Sequence, residues 1–280
     1  MIRALVFAMF LVHTSFSYAQ YTEKMVSGRP GQAIAAQTPG MNVFQLETGF
    51  DYTVTDRAGY KGWGPKQNRQ YLSALNATLL RYGILNNLEI HSGWEFREDK
   101  VKIDDYTSNL ASGMSFSSIG IRHNVFEGND RKPSLAYQVS IKLNILSKAY
   151  NYEETLMPHF MVTSGMSLTE NLGITLNSGM DFTNYGQTGI YILNLGYSLG
   201  DRLFTFAEMY GSNRIFSEFE DPFAPKFDAG FGYFLTNDMQ LDVLGGYAIN
   251  EGIKDYFVST GISWRLNHPK AILAEEIPAE

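Results

Sequence analysis

The stretch LLRYGILNNLEIHSGWEF, Leu79 to Phe96, alternates with a period of two on both sides of a small polar turn. Leu80, Tyr82, Leu88, Ile90, Trp94 and Phe96 fall on one side, and Arg81, Glu89, His91 and Glu95 on the other. Such alternation reads as two β-strands joined by GILNN, Gly83 to Asn87. The charged side admits three meanings: an active site, a set of buried ion pairs, or the wall of a water-filled interior. The choice depends on which solvent each face meets.

The same period recurs along the chain. In SLAYQVSIKLNI, Leu135, Tyr137, Val139, Ile141, Leu143 and Ile145 oppose Ala136, Gln138, Ser140, Lys142 and Asn144. VFQLETGFDY sets Phe44, Leu46, Thr48, Phe50 and Tyr52 against Gln45, Glu47, Gly49 and Asp51. LGITLNSGMDF, FDAGFGYFL and VSTGISWRL repeat it, while LFTFAEMYG (Leu203–Gly211) leaves the facing of Phe206 and Glu208 undecided. About twelve segments can be marked out, each roughly nine to thirteen residues long, which is the length a tilted transmembrane strand needs and about twice that of a globular strand. Tight turns at Gly83–Asn87, Thr169–Asn171, Gly200–Arg202 and Thr236–Asp238 alternate with longer loops. The longer loops are expected at Thr55–Arg69, Arg97–Ser112, Leu146–Leu156 and Gly211–Pro225. Short turns at one end and long loops at the other are the arrangement of outer-membrane barrels.

A soluble β-sandwich would also alternate, with its apolar face inward. Three features favour the membrane barrel. The polar face is rich in Gly, Ser, Asn and Thr rather than Lys and Glu. The apolar face carries Tyr52, Tyr82, Trp94, Phe96, Phe182, Tyr197 and Trp264, which suit interfacial girdles. A leader also precedes the strands: Arg3, the apolar run Ala4–Val12, then Ser17-Tyr18-Ala19. That pattern predicts a signal peptide over residues 1–19, cleaved after Ala19. The fold class expected is therefore all-β, a transmembrane antiparallel up-and-down barrel over residues 41–266. A periplasmic lead-in is expected over 20–40 and a periplasmic tail over 267–280.

Composition agrees. Aromatic residues make up 14% and charged residues 18%, against about 25% charged in an average soluble protein. Net charge is -7, which argues against a nucleic-acid binder with its basic stripe. There is no Cys, so neither disulfides nor thiolate chemistry is available. No cofactor is expected, and the expected partners are outer-membrane lipid and a small solute.

Three stretches, MVSGRPGQAIAAQTPGMNVFQLETGF (Met25–Phe50), LLRYGILNNLEIHSG (Leu79–Gly93) and FDAGFGYFLTNDMQLDVLGGYAIN (Phe227–Asn250), carry a resemblance. Together they resemble the outer-membrane barrels named for the meta-pathway of phenol degradation, the MetA transporter-like family. His91 stands where that family commonly has a basic Arg. The resemblance implies an outer-membrane channel or passive transporter for small hydrophobic or aromatic molecules.

The inward parity collects Glu47, Asp51, Arg81, Glu89, His91, Glu95, Arg122, Lys142, Asp181, Asp228, Asp242 and Arg265 as candidates for the lumen wall. Two arrangements fit them: a wet passage with an acidic bias, or ion pairs that lace the interior shut. A lipid-active enzyme is the second function class considered, and it would need a Ser–His pair on the lipid-facing side. No GxSxG elbow is present, and no orienting third group can be assigned to His91 or His159. Glu89 and Glu95, six residues apart on one strand, lie roughly 20 Å apart and cannot share a site. No His cluster has metal-ligand spacing. A barrel with a purely structural or surface-binding role is the third class. The outer loops carry Tyr60, Trp63, Tyr150, Tyr152, Phe216, Phe219 and Phe223, candidates for an extracellular vestibule or for a packed lid.

Overall fold

The computed structural model describes residues 22–60, 67–104, 106–129, 132–151, 156–183, 186–215, 225–250 and 253–266. The expected signal segment and the tail beyond Leu266 lie outside the described residues. Twelve strands follow in chain order: β1 (Phe44–Tyr60), β2 (Gln67–Leu85), β3 (Leu88–Ile103), β4 (Tyr106–Phe126), β5 (Ser134–Lys142) and β6 (Met157–Ser167). They continue as β7 (Leu172–Thr183), β8 (Gly186–Ser198), β9 (Leu203–Ile215), β10 (Lys226–Thr236), β11 (Met239–Asn250) and β12 (Ile253–Leu266). Each pairs antiparallel with its chain neighbours, and β1 closes on β12 from Phe44↔Leu266 to Arg57↔Ile253. Closure leaves no open edge, which hydrocarbon could not satisfy.

Facing follows the alternation, turned inside out relative to a soluble protein. Phe50, Phe96, Phe231, Val258 and Trp264 are exposed on the outer wall, Phe96 at 52%. Gln45, Glu47, Arg81, Glu89, Arg122 and Ser263 are buried on the inner one. Hydroxyls on the outer face do not meet lipid bare, since Thr205 Oγ1 donates to Gly230 O and Thr260 Oγ1 to Asp242 O, each at 2.9 Å. The undecided β9 is resolved: Phe206 and Glu208, 5% and 3% exposed, point into the lumen.

Two expectations are corrected. The loops expected at Thr55–Arg69 and Gly211–Pro225 are shorter, since β1 runs to Tyr60, β2 starts at Gln67 and β9 runs to Ile215. Arg97–Ser112 is not a loop, because β3 runs to Ile103 and β4 starts at Tyr106. The outer face there carries Glu98 and Lys100, which form an ion pair at 2.9 Å. The wall therefore rises above its apolar band, where water rather than lipid meets the side chains. A strand ladder persists there without an apolar face, and the apolar alternation stops before the strand does. The second correction concerns residues 22–40. They do not lead in from outside the barrel but run within it, against the inward-facing side chains of β1, β2, β7, β9, β11 and β12.

Inward glycines make room for lumenal rings. Phe204 on β9 pairs with Gly232 on β10, and a Cβ at Gly232 would fall within its ring. Gly232→Val is expected to destabilise the barrel by about 1–3 kcal/mol through overpacking. The urea midpoint of the heat-modifiable gel shift measures this, and an unchanged midpoint would show that Phe204 swings aside freely.

Candidate functional site: the occupied lumen

The lumen contains part of its own chain. The segment 22–40 enters at the short-turn end, where Met25 N–H donates to Asn237 O at 2.8 Å. There Arg265 Nη1 and Nη2 donate to Thr22 O and Glu23 O, both at 2.9 Å. The segment leaves at the same end, with Thr38 Oγ1 donating to Asn86 O at 2.6 Å. Between these points it is a strand-less excursion, so its backbone groups need partners from the wall.

The wall supplies them, and each polar type fits its task. Gly28 N–H donates to Glu47 Oε2 at 2.9 Å, and Gln45 Nε2 donates to Val26 O at 3.0 Å. Gln240 Nε2 donates to Arg29 O at 2.8 Å. Asn177 forms both bonds of a β-bridge with one residue, accepting from Ile34 N–H and donating to Ile34 O at 2.9 Å each. Glu208 accepts Gln32 N–H at 2.6 Å, Ala33 N–H at 3.0 Å and Asn194 Nδ2 at 2.7 Å. Gly31, at φ +91°, makes this approach possible, since a Cβ there would meet the Glu208 carboxylate.

Arg29 is the segment's charged anchor. Its Nε and Nη2 fork Asp242 at 3.2 and 2.9 Å, and Nη2 also donates to Ser259 Oγ at 2.9 Å. The guanidinium lies over Gly49 and Gly261, paired across the β1–β12 seam, where any Cβ would take its place. Gly49→Val is therefore expected to expel Arg29 while keeping every charge. More frequent current openings than in the unsubstituted protein would show it, and an unchanged current would show that Arg29 has other room.

The wall's own charges are largely paired. Arg81, 1% exposed, bonds Glu89 at 2.7 Å and Glu47 at 3.1 Å, and also donates to Val26 O and Gln37 O. Arg122 donates to Gln138 Oε1 at 2.9 Å and stands 3.8 Å from Glu89. Arg265 pairs with Asp238 at 2.7 Å. Asp181 accepts from Lys142 Nζ at 2.8 Å and lies 2.7 Å from His159 Nδ1. Glu95 stands 3.8 Å from Arg97. His91 is buried, and among the described residues neither ring nitrogen has a hydrogen-bond partner, its Nδ1 lying 3.8 Å from Glu89. Among the described residues Asp51 Oδ1 meets no donor, and Asp228 faces the Glu208 carboxyl across β9 and β10. The twelve candidates thus all lie on the inner wall, but in separate groups: one around Arg81, one around Lys142, Asp242 on Arg29, Arg265 on Asp238, Glu95 beside Arg97, Asp228 beside Glu208, and Asp51 apart from these.

Sequence reasoning missed Asn177, Asn194, Glu208 and Gln240, which hold the segment or its anchors. Their signal was present as inward parity, but an Asn or Gln on a wet face looks like any other polar residue. Among the proposed vestibule residues, Tyr150 is buried and its hydroxyl donates to Arg97 O and Asp99 Oδ2 at 3.3 and 3.1 Å. It packs the β5–β6 connection inward. The side chain of Tyr60, and Trp63, Tyr152, Phe216, Phe219 and Phe223, lie outside the described residues. Ser140 faces His159 across β5 and β6, and His159 is oriented by Asp181. Among the described residues, however, no hydrogen bond joins Ser140 to His159, and Lys142 competes for the same carboxylate. The row faces the lumen, not the lipid.

The architecture matches solved barrels. The outer membrane channel from Pseudomonas putida F1 superposes with a TM-score of 0.61 at 12% identity, covering 86% of this chain and all of that one. The translocator domain of the autotransporter NalP from Neisseria meningitidis gives 0.47 at 10% identity, covering 80% and 88%. The KdgM porin gives 0.47 at 10%, covering 77% and 98%. At 12% identity the likeness to the Pseudomonas putida channel is one of fold, that of an outer-membrane barrel. Comparison with functionally curated proteins returns no significant match. The family model described as the MetA-pathway of phenol degradation matches residues 27–266, from the inserted segment to the last strand, and the chain belongs to that family.

Proposed function

We propose that this protein is a passive channel for small hydrophobic molecules across the outer membrane, closed at rest by residues 22–40. The observation that carries the reading is the occupied lumen. A barrel serving only as a structural wall needs no separate segment bonded along its interior by a dedicated set of Asn, Gln, Glu and Arg side chains. Beyond that segment, toward the long loops, the inner wall mixes charge with Leu75, Phe116, Met161, Ile192, Leu244 and Phe257. Such a wall suits a solute with an apolar body, and ligand sites are generally apolar with few polar groups.

A planar bilayer tests conduction. Brief discrete current steps are expected, rare because the segment fills the lumen. Silence at every voltage, in the full chain and in a variant lacking the segment, would overturn the channel reading and favour a structural barrel. Fatty-acid release from detergent-dispersed phospholipid that is lost in His159→Ala would instead support the lipid-active alternative.

A further inference from the structure

The inward glycines of the wall are of two kinds. At several of them a neighbour takes the place of the missing side chain: Arg29 lies over Gly49 and Gly261, and the Phe204 ring over Gly232. Gly173 on β7 and Gly196 on β8 differ. They pair with each other, and Gly196 pairs in turn with Phe206 on β9. A Cβ at Gly173 would meet nothing nearer than Met166 O, and one at Gly196 nothing nearer than Asn194 Oδ1, both at 3.7 Å. Two adjacent wall positions thus face open space rather than packed atoms.

That space belongs to a cavity of 510 Å³ at the short-turn end, between the wall and the inserted segment. Small-molecule sites fall in the range of roughly 300–1,000 Å³ and are mostly apolar. The wall side carries three rings, Phe204, Phe206 and Phe234, with the centroids of Phe204 and Phe234 5.6 Å apart. The segment side carries Met25, Pro30 and Ala33. Three donors that border the cavity are already engaged: Asn194 Nδ2 donates to Glu208, Gln240 Nε2 to Arg29 O, and Lys24 Nζ to Asp201 O. Around the mouth, Lys24 and Arg202 are matched in charge by Glu170 and Asp201. An ion seated here would leave water without a counter-charge reserved for it, which is costly. A flat apolar ring would instead gain contact with the phenylalanine rings.

We propose that this cavity binds an uncharged solute with a single aromatic ring, seated in front of Gly173 and Gly196 against Phe206, with the inserted segment as its facing wall. The proposal rests on the channel reading and adds to it a site at the short-turn end. The segment then has a second role besides filling the lumen. Its bonds to the wall through Ala33 N–H and Arg29 O hold one side of the pocket in place.

The probes are 4-fluorotoluene and 4-fluorobenzoate, similar in size and differing in charge, followed by fluorine NMR with the full chain in nonionic detergent. Saturable binding of 4-fluorotoluene is expected, on the order of tenfold tighter than that of 4-fluorobenzoate. Gly196→Leu and Gly173→Leu each start a side chain in open space and fill the cavity from separate strands. Each is expected to weaken 4-fluorotoluene binding by about tenfold or more while keeping the heat-modifiable gel shift of a folded barrel. Equal uptake by the unsubstituted protein and the folded variants, at one detergent concentration, would mean partition into micelles and overturn the pocket. Tighter binding of 4-fluorobenzoate would overturn the ligand class. The channel reading is judged separately: current steps without saturable ring binding would leave the channel and remove the pocket. Saturable binding in a protein that never conducts would do the reverse.

Discussion

Removal of residues 22–38 is expected to raise single-channel conductance on the order of tenfold, because a twelve-stranded barrel is wide enough to conduct only when its interior is not filled. Val26, Gly28, Arg29, Gln32, Ala33, Ile34 and Gln37 each bond the wall through backbone groups, so the segment occupies the lumen from β1 and β2 across to β7 and β9. The wall groups released by the deletion include Gln45, Glu47, Arg81, Asn177, Glu208, Gln240, Asp242, Ser259 and Arg265, all polar, and water can replace the hydrogen bonds they lose. The barrel ladder does not use the segment, and the deletion variant should still show a heat-modifiable gel shift. Conductance equal to that of the full chain would mean that the wall's own ion pairs close the passage. Arg29→Ala should give a smaller effect of the same sign, since it frees one anchor and leaves Asp242 unpaired.

The strands were legible in the sequence because a membrane barrel writes its solvent on both faces. Lipid requires Leu80, Tyr82, Ile90, Trp94 and Phe96 on one parity, and a polar interior allows Arg81, Glu89, His91 and Glu95 on the other. The pattern fails in two places for identifiable reasons. Above the membrane the outer face of β3 becomes Glu98 and Lys100, so period two survives as backbone geometry but not as hydropathy. On β9, Phe204 and Phe206 point inward beside Glu208, and Gly232 on β10 leaves space for the Phe204 ring. An aromatic on the wet side breaks the expected alternation, and only the neighbouring strand explains it. The inserted segment was the least legible part. Its GRPGQAIAAQTPG composition is small, polar and turn-rich, which reads as a linker. Its partners lie some 20 to 230 residues away in sequence. Nothing local announces that Gly49 and Gly261 are empty so that Arg29 can fill them.

Arg81→Met is expected to lower barrel stability by about 3 kcal/mol, because truncating one member of a buried charge network leaves its partners uncompensated. Arg81 donates to Glu89, Glu47, Val26 O and Gln37 O, so one side chain joins β2, β1, β3 and both arms of the inserted segment. Glu89 retains Arg122 at 3.8 Å, and Glu47 retains Gly28 N–H and Gln45 Nε2, which places the cost at the lower end of the range for such losses. The urea midpoint of the gel shift measures it. Arg81→Lys separates charge from shape: an ammonium keeps the net charge but cannot reach two carboxylates and two carbonyls in one plane. If the fork matters, Arg81→Lys should recover most of the stability yet still conduct more often than the unsubstituted protein, since the carbonyls of Val26 and Gln37 lose their donors. If only charge matters, Arg81→Lys should restore both. The two variants thus separate the two roles of Arg81, because the same guanidinium ties the wall together and holds the segment that fills the lumen.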